Sequence, residues 1–176
     1  SDGAKKLACK LQEAFAGFLD HTDDQIGRLV SYLDQAGEID NTIICLMADN
    51  GASQEGGPQG VSAGERYSHP HLDDLDNIDD VLPDIGTPKS DPNYPWGWSQ
   101  AGNTPLKWYK STTHAGGVRD PLLVHWPDGI KNTGGVRHQF THVTDIVPTL
   151  LDVLNITPKD SYQGYPQMPF PDNSFA

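Results

Sequence analysis

The sequence predicts an α/β fold built on a largely parallel sheet. Six consecutive residues, 42–47, are apolar or β-branched with no polar alternation, so both faces of this strand are expected to be covered, as in a parallel sheet. A helical pattern over residues 7–36 precedes the strand, and a helix, a short linker and a strand make an αβ unit. The 176 residues suffice for one domain with a real core.

The first helix is predicted from apolar residues at three- and four-residue spacing, which lay one stripe along a helix. They are Leu7, Leu11, Ala14, Phe15, Phe18, Leu19, Ile26, Leu29, Val30 and Leu33. Gly37 lies where a C-terminal glycine is expected. The polar residues 21–24 interrupt the stripe, and they are interpreted as a solvated turn of the helix or a break between two helices, in preference to a ligand cluster.

A polar cluster follows the predicted strand directly. Asp49, Asn50 and Gly51 stand at its carboxyl end, where ligands collect in open α/β sheets. A charged oxygen beside a neutral carbonyl oxygen suits a hard cation such as Ca²⁺ or Mg²⁺, and Gly51 would allow a turn with φ > 0 and a close approach to a ligand. The same three residues also form a common strand-to-loop turn, so both interpretations stand at this point.

Residues 52–105 are rich in Gly, Pro, Ser, Asp and Asn and predict a long excursion, which in a compact domain is functional or disordered. Its acidic part, residues 73–84, lacks the glycine and glutamate positions of an EF-hand loop and predicts a short exposed acidic helix. Three of the four tryptophans lie between residues 96 and 108. They could wall a substrate cleft or pack the loop onto the domain.

The remaining elements follow the excursion. A strand is predicted at residues 122–126, and a short one could form at 140–143. Thr144 or Asp145 would then cap a helix over residues 146–154.

Charge and composition exclude several classes of function. The net charge is −12 and the pI about 4.7, without a Lys/Arg cluster, which argues against a nucleic-acid partner. No stretch has the apolar length of a membrane span and none near Ser1 has the pattern of a signal peptide. A soluble protein with no membrane partner is expected, with a lean towards the cytoplasm.

The cysteines and histidines give no metal site of their own. Cys9 and Cys45 lie in apolar stretches and are predicted to be buried thiols, not a disulfide framework or a zinc site. The close histidine groupings at 69–71 and 138–142 lack the context of a zinc motif.

Three blocks taken together resemble the sulfatase family, and most nearly the bacterial arylsulfatases. They are F-L-D-H-T-D-D-Q-I-G-R-L at 18–29, M-A-D-N-G-A-S at 47–53, and N-T-P-L-K-W-Y-K-S-T-T-H-A-G-G-V-R-D-P-L-L-V-H-W-P at 103–127. They stand in the order of the family and at compatible spacing. V-T-D-I-V-P-T-L-L-D-V-L at 143–154 also resembles the family's late helix.

The resemblance implies an alkaline-phosphatase-like α/β fold, with a mixed, mainly parallel sheet flanked by helices and present here only in part. It implies hydrolysis of a small-molecule sulfate ester by a formylglycine nucleophile, with Ca²⁺ holding the sulfate. Asp49 and Asn50 match a pair of metal ligands, and Lys110 matches the catalytic lysine that contacts the sulfate and the leaving oxygen. Lys107 and His114 do not occupy matched positions, and are interpreted as a surface charge and an unassigned loop residue.

The chain also departs from the family pattern. Neither cysteine stands in the C/S-x-P-x-R motif that yields formylglycine, and Ser68 and Ser90 have the proline without the arginine. The first-strand aspartates have no counterpart. Residues 1–158 are therefore expected to be the C-terminal part of a sulfatase catalytic domain, followed by an irregular connection at 159–176, and the isolated chain is expected to be inactive. A truncated, non-catalytic sulfatase-like chain and a phosphoester hydrolase of the same superfamily remain the alternatives.

Overall fold

The computed structural model describes residues 1–63, 72–170 and 173–176, which form two compact units, Ser1–Lys131 and Asn132–Ala176. The first unit contains α1 (Asp2–Gln35), β1 (Ile44–Met47), α2 (Trp96–Asn103), α3 (Ala115–Val118) and β2 (Leu122–His125). The second contains α4 (Ile146–Val153), β3 (Ser161–Tyr162) and β4 (Tyr165–Pro166). Over the ranges described, no helix has both the length and the apolar character needed to cross a membrane.

Helix α1 is continuous over 34 residues and begins earlier than the periodicity predicts. Ser1 caps it, because its hydroxyl oxygen accepts a hydrogen bond from the backbone N–H of Ala4 at 3.3 Å. Gly37 follows its end with φ +74°, as expected for a C-terminal glycine. The polar residues 21–24 lie inside the helix, so they form a solvated turn and not a break.

The apolar stripe of α1 is covered only over its first turns. Leu7 and Leu11 are fully buried, whereas Phe18 is 70% exposed and Leu29 is 56% exposed. The helix predicted from the spacing is therefore present, but only the start of its apolar stripe is buried. Periodicity identifies which face of a helix is apolar, and it does not show that another element packs against that face.

The acidic segment is not the exposed helix that was predicted. It forms two 3₁₀ turns, Ile78–Asp80 and Leu82–Asp84. Ile78 and Ile85 are buried against Leu7 and Leu11 in the core of the first unit. These two isoleucines attach the segment to α1. They were not identified from the sequence, because they stand beside aspartates and a 3₁₀ turn buries single side chains without an apolar helical stripe.

Both cysteines are exposed, which corrects the prediction that they are buried. Cys9 lies two positions from Leu7 and from Leu11, about 200° around the helix from each, so it points away from the core. Cys45 lies on β1, of which only Ile44 is partly buried. An apolar neighbourhood in sequence did not correspond to a buried position.

Strands β1 and β2 pair antiparallel, with Ile44 opposite His125 and Met47 opposite Leu122. The sequence predicted a parallel sheet covered on both faces, and that prediction is wrong for this strand, since Leu46 is 44% exposed and Met47 is 39% exposed. Among the strands that the structure describes, β2 is the only partner of β1. The mixture of helices and strands is as predicted.

The second unit also differs from the sequence prediction at one element. Residues 140–143 form no strand. The ring nitrogen Nδ1 of His142 accepts from the backbone N–H of Thr144 at 3.3 Å, and Asp145 accepts from the N–H of His142 at 2.7 Å. This capping box starts the 3₁₀ turn Val143–Asp145, which runs directly into α4. A two-residue hairpin of β3 and β4 follows in a region predicted to be irregular.

Candidate functional site

The turn after β1 lies directly against the glycines that precede β2. The N–H of Gly51 donates to the carbonyl oxygen of Gly117 at 3.4 Å. Gly51 is buried, and a Cβ at this position would come within 1.7 Å of the carbonyl oxygen of Gly116. Gly51 thus makes a close approach to protein backbone, and its close approach to a ligand stays a prediction. The predicted positive φ is wrong, because Gly51 is not among the residues with that conformation.

The side-chain amide of Asn103 joins the same two segments. Its oxygen accepts from the N–H of Ala52 at 3.3 Å. Its nitrogen donates to the carbonyl oxygens of Trp108 at 2.9 Å and Gly116 at 2.8 Å. Three of the four hydrogen bonds available to an amide are thus made to backbone groups on both sides of the turn. Sequence reasoning missed this residue, because its role depends on contacts far apart in the chain.

Lys110 is held beside the turn through both its backbone and its side chain. Its N–H donates to the carbonyl oxygen of Ala52 at 3.0 Å, two residues after Asn50. Its Nζ lies 3.0 Å from Glu55 Oε1, and each of these side chains is 32% exposed. The hydroxyl of Ser53 donates to the other oxygen of Glu55 at 3.1 Å. The structure therefore brings the predicted lysine to the loop that carries the predicted metal ligands.

The charge of Glu55 is stabilised by these neighbours. Its pKa is lowered chiefly by the hydrogen bond from Lys110 and then by that from Ser53, while burial acts in the opposite direction. Glu55 was not identified from the sequence, since a single glutamate in a polar loop carries no local signal.

The backbone on both sides of Lys110 is strained. Trp108 has φ +65° and Ser111 has φ +68°, a region that non-glycine residues rarely occupy. Trp108 is fixed by Gln100, whose side-chain oxygen accepts from its N–H at 2.9 Å. The ring of Trp108 also stacks on His114, with centroids 6.2 Å apart. Such conformations persist where the surroundings hold them, and they cluster at functional sites.

The other two tryptophans of the aromatic segment attach it to the rest of the first unit. Trp96 donates its indole N–H to the carbonyl oxygen of Gln54 at 2.8 Å, and Trp98 donates to that of Ala8 at 2.9 Å. These contacts favour the packing interpretation for both side chains.

The oxygen-bearing side chains after β1 match a hard cation in kind but are few. Asp49 is exposed and Asn50 is partly buried. Burial, and then the negative charge of Asp49, raise the pKa of nearby Asp120. The described part of the chain contains no group of three or more His, Cys, Asp or Glu side chains arranged around a metal, and the histidine grouping at 69–71 lies outside it. Since Ca²⁺ takes six to eight oxygens, these side chains fit only part of such a site.

Comparison with known proteins identifies the family. The model of the sulfatase family matches residues 5–156, so the chain belongs to the sulfatase family, and the resemblance seen in the sequence is confirmed. It is 30% identical to an uncharacterized sulfatase of Schizosaccharomyces pombe, over 91% of this chain and 28% of that protein.

Two further relatives carry more specific names. The chain is 28% identical to the arylsulfatase of Klebsiella aerogenes, over 94% of this chain and 34% of that protein. It is 27% identical to the human (Homo sapiens) N-acetylgalactosamine-6-sulfatase, over 77% of this chain and 18% of that protein. The chain thus spans about a third or less of the length of these relatives.

Replacing Gly51 by Ala is expected to destabilise the first unit by several kcal/mol, because the added Cβ would clash with the backbone of Gly116. Gly97→Ala is the matched control, since a Cβ there meets nothing within 4 Å and the residue lies in α2; it should be neutral or stabilise by up to about 1 kcal/mol. Thermal and urea unfolding followed by circular dichroism would measure both. Equal stability of the two variants would contradict the proposed packing.

Replacing Lys110 by Gln is expected to raise the pKa of Glu55 towards its ordinary range, because the main group that lowers it is lost. Since the pKa is lower in the folded chain, the pair stabilises above the ordinary pKa of a glutamate and loses this contribution as pH falls through the lowered value. The contribution should stay under about 1 kcal/mol, because both side chains are partly exposed. Carboxyl ¹³C NMR titration would measure the shift, with Lys107→Gln as the control of equal charge. An unchanged Glu55 titration in Lys110→Gln would refute the pairing.

Proposed function

We propose that this chain is part of a sulfuric ester hydrolase that cleaves sulfate esters of small molecules, with Lys110 as a catalytic residue. One observation carries the proposal: the backbone of Lys110 is hydrogen-bonded to the loop that begins with Asp49 and Asn50, although the two segments are distant in sequence. The family and the names of its relatives support the type of reaction. Neither a nucleic acid nor a membrane is part of the proposed function.

The ammonium group of Lys110 suits a sulfate ester. An ammonium has three donors, and Glu55 accepts one of them in the structure. The remaining donors are available for oxygens of the sulfuryl group and for the oxygen of the leaving alcohol or phenol. A positive charge fixed before the reaction stabilises the negative charge that develops on those oxygens as the S–O bond breaks.

Ca²⁺ is the cofactor proposed for the site, with Asp49 and Asn50 as ligands. Bound there, the cation would supply Lewis-acid stabilisation of the sulfuryl oxygens. Asp49 would contribute an anionic oxygen and Asn50 a neutral one, and together they would help to hold the cation at the end of β1. Because this set is small, the affinity of the isolated chain for Ca²⁺ should be poor.

The nucleophile of the proposed reaction is a formylglycine, and the present sequence contains no motif from which it could form. It would therefore come from residues outside these 176, as would the remaining metal ligands. An alkaline-phosphatase-like, mainly parallel sheet is proposed for the complete catalytic domain.

Sulfate binding by Lys110 tests this proposal. Adding sodium sulfate to the chain at constant ionic strength should shift the side-chain ¹H and ¹³C NMR signals of Lys110 more than those of any other lysine. Lys110→Gln should abolish saturable binding, whereas Lys107→Gln, which removes the same charge from an exposed position nearby, should leave it within about twofold. Equal shifts at Lys107 and Lys110, or unchanged binding by Lys110→Gln, would overturn the role given to Lys110.

The isolated chain is expected not to hydrolyse nitrophenyl sulfate, because it contains no residue that can become the proposed nucleophile. A colorimetric assay with excess Ca²⁺ over many hours measures this directly. Turnover that persists in a variant carrying both Cys9→Ala and Cys45→Ala would show that a different nucleophile exists, and would contradict the proposed mechanism.

A further inference from the structure

We infer that Glu55 is a specificity-determining residue, which weakens the binding of dianionic ligands at Lys110 more than it weakens the binding of a monoanionic sulfate ester. This inference rests on the proposed function, because Glu55 acts on the anion that Lys110 binds. Glu55 would act through its charge and would not contact the reacting atoms.

The carboxylate of Glu55 lies close to any anion that Lys110 can bind. Its Oε1 lies 3.0 Å from Nζ of Lys110. Two anions that accept from different hydrogens of one ammonium group are about 5 Å apart, because the donors point tetrahedrally. At that separation, repulsion from Glu55 weakens binding by about threefold for each negative charge on the ligand, even with the dielectric constant of water.

Contacts within its own loop and with α2 hold Glu55 in place. The hydroxyl of Ser53 donates to Oε2 of Glu55 at 3.1 Å, and the N–H of Glu55 donates to that hydroxyl oxygen at 3.3 Å. The carbonyl oxygen of Ser53 accepts from the hydroxyl of Ser99, which is fully buried. The carbonyl oxygen of Gln54 accepts from the indole N–H of Trp96 at 2.8 Å. These bonds keep the carboxylate beside the ammonium group when an anion arrives.

Glu55 carries its negative charge at neutral pH. The hydrogen bonds from Lys110 and then from Ser53 hold the pKa of its carboxyl below the ordinary value. The Lys110–Glu55 pair is therefore formally neutral, and an incoming anion meets both charges of the pair.

The number of charges separates the ligands that such a site would meet. A sulfate monoester carries one negative charge and free sulfate carries two, while a phosphate monoester carries about 1.5 to 2 at pH 7. A lone ammonium group would bind the more highly charged ligands more tightly. Because Glu55 repels each of their charges, it reduces this advantage, so product sulfate is released more readily and phosphate monoesters compete less well with sulfate esters.

NMR titrations of the chain with methyl sulfate and with sodium sulfate, at neutral pH and constant low ionic strength, test the inference through the side-chain signals of Lys110. Glu55→Gln keeps an oxygen acceptor for Lys110 and removes the charge. It should lower the Kd of methyl sulfate about threefold and that of sulfate about tenfold, because the repulsion doubles with the charge of the ligand. The ratio of the two Kd values then changes about threefold. Glu55→Ala, a second way to remove the charge, should change this ratio in the same direction.

Glu13→Gln is the matched control, because it removes the same charge from another lysine–glutamate pair. Nζ of Lys10 lies 2.8 Å from Oε1 of Glu13, and both residues belong to α1. The ratio should stay within about 1.5-fold of the wild-type value in this variant, since an exposed charge away from the site is screened. Glu55→Asp keeps a carboxylate on the loop and should also stay within about 1.5-fold.

The outcomes separate this inference from the proposed function. Tighter binding of both ligands by the same factor in Glu55→Gln and Glu55→Ala would overturn the inference, because Glu55 would then only compete for the ammonium group, and the role of Lys110 would stand. An equal change of the ratio in Glu13→Gln would also overturn it, since general electrostatics would explain both. If neither ligand shifts the signals of Lys110 in the wild-type chain or in Glu55→Gln, the inference and the proposed role of Lys110 both fail.

Discussion

The candidate site depends on one close backbone approach. The turn after β1 can lie against the segment before β2 only because Gly51 has no side chain that would clash with the backbone of Gly116 and Gly117. A Cβ at Gly51 or at Gly116 would fall within 2 Å of a carbonyl oxygen, so neither position tolerates even alanine without a shift of the backbone. The amide of Asn103 then fixes this arrangement by bonding to both sides. The position of Lys110 depends on the same arrangement, because its N–H donates to the carbonyl oxygen of Ala52 in the same loop.

The charges around this backbone contact complement each other in a chain of net charge −12. Such a chain repels an anionic ester at long range, so a sulfate site needs local positive charge. In the proposed function Lys110 supplies one such charge. Glu55 pairs with its ammonium group and itself accepts a hydrogen bond from Ser53. The Ca²⁺ proposed beside Asp49 and Asn50, after the end of β1, would supply the second. Fixed positive charges that need no rearrangement during the reaction are the ones that lower a barrier most effectively.

The sequence predicted the parts of the structure that depend on local pattern. Periodicity located α1, and the apolar runs located β1 and β2 to within two residues. Lys110 came from motif resemblance. Asp49 and Asn50 were candidates from their position after the predicted strand, and the resemblance matched them to metal ligands. Whether an apolar face is covered depends on other elements, so the exposure of β1 and of the second half of α1 was not predicted. The antiparallel pairing of β1 depends on which strand meets it. The roles of Asn103 and Glu55 follow from tertiary contacts that leave no local signal.

The coding sequence immediately upstream of the codon for Ser1 tests most directly whether Asp49, Asn50 and Lys110 are one half of a sulfatase active site. An open reading frame that continues upstream in frame is expected to encode a pair of aspartates at the end of a first strand and a C/S-x-P-x-R motif. These would supply the remaining metal ligands and the formylglycine nucleophile. A start codon just upstream of Ser1, with no such motif between them, would contradict the catalytic role and leave a sulfatase-like chain without a nucleophile.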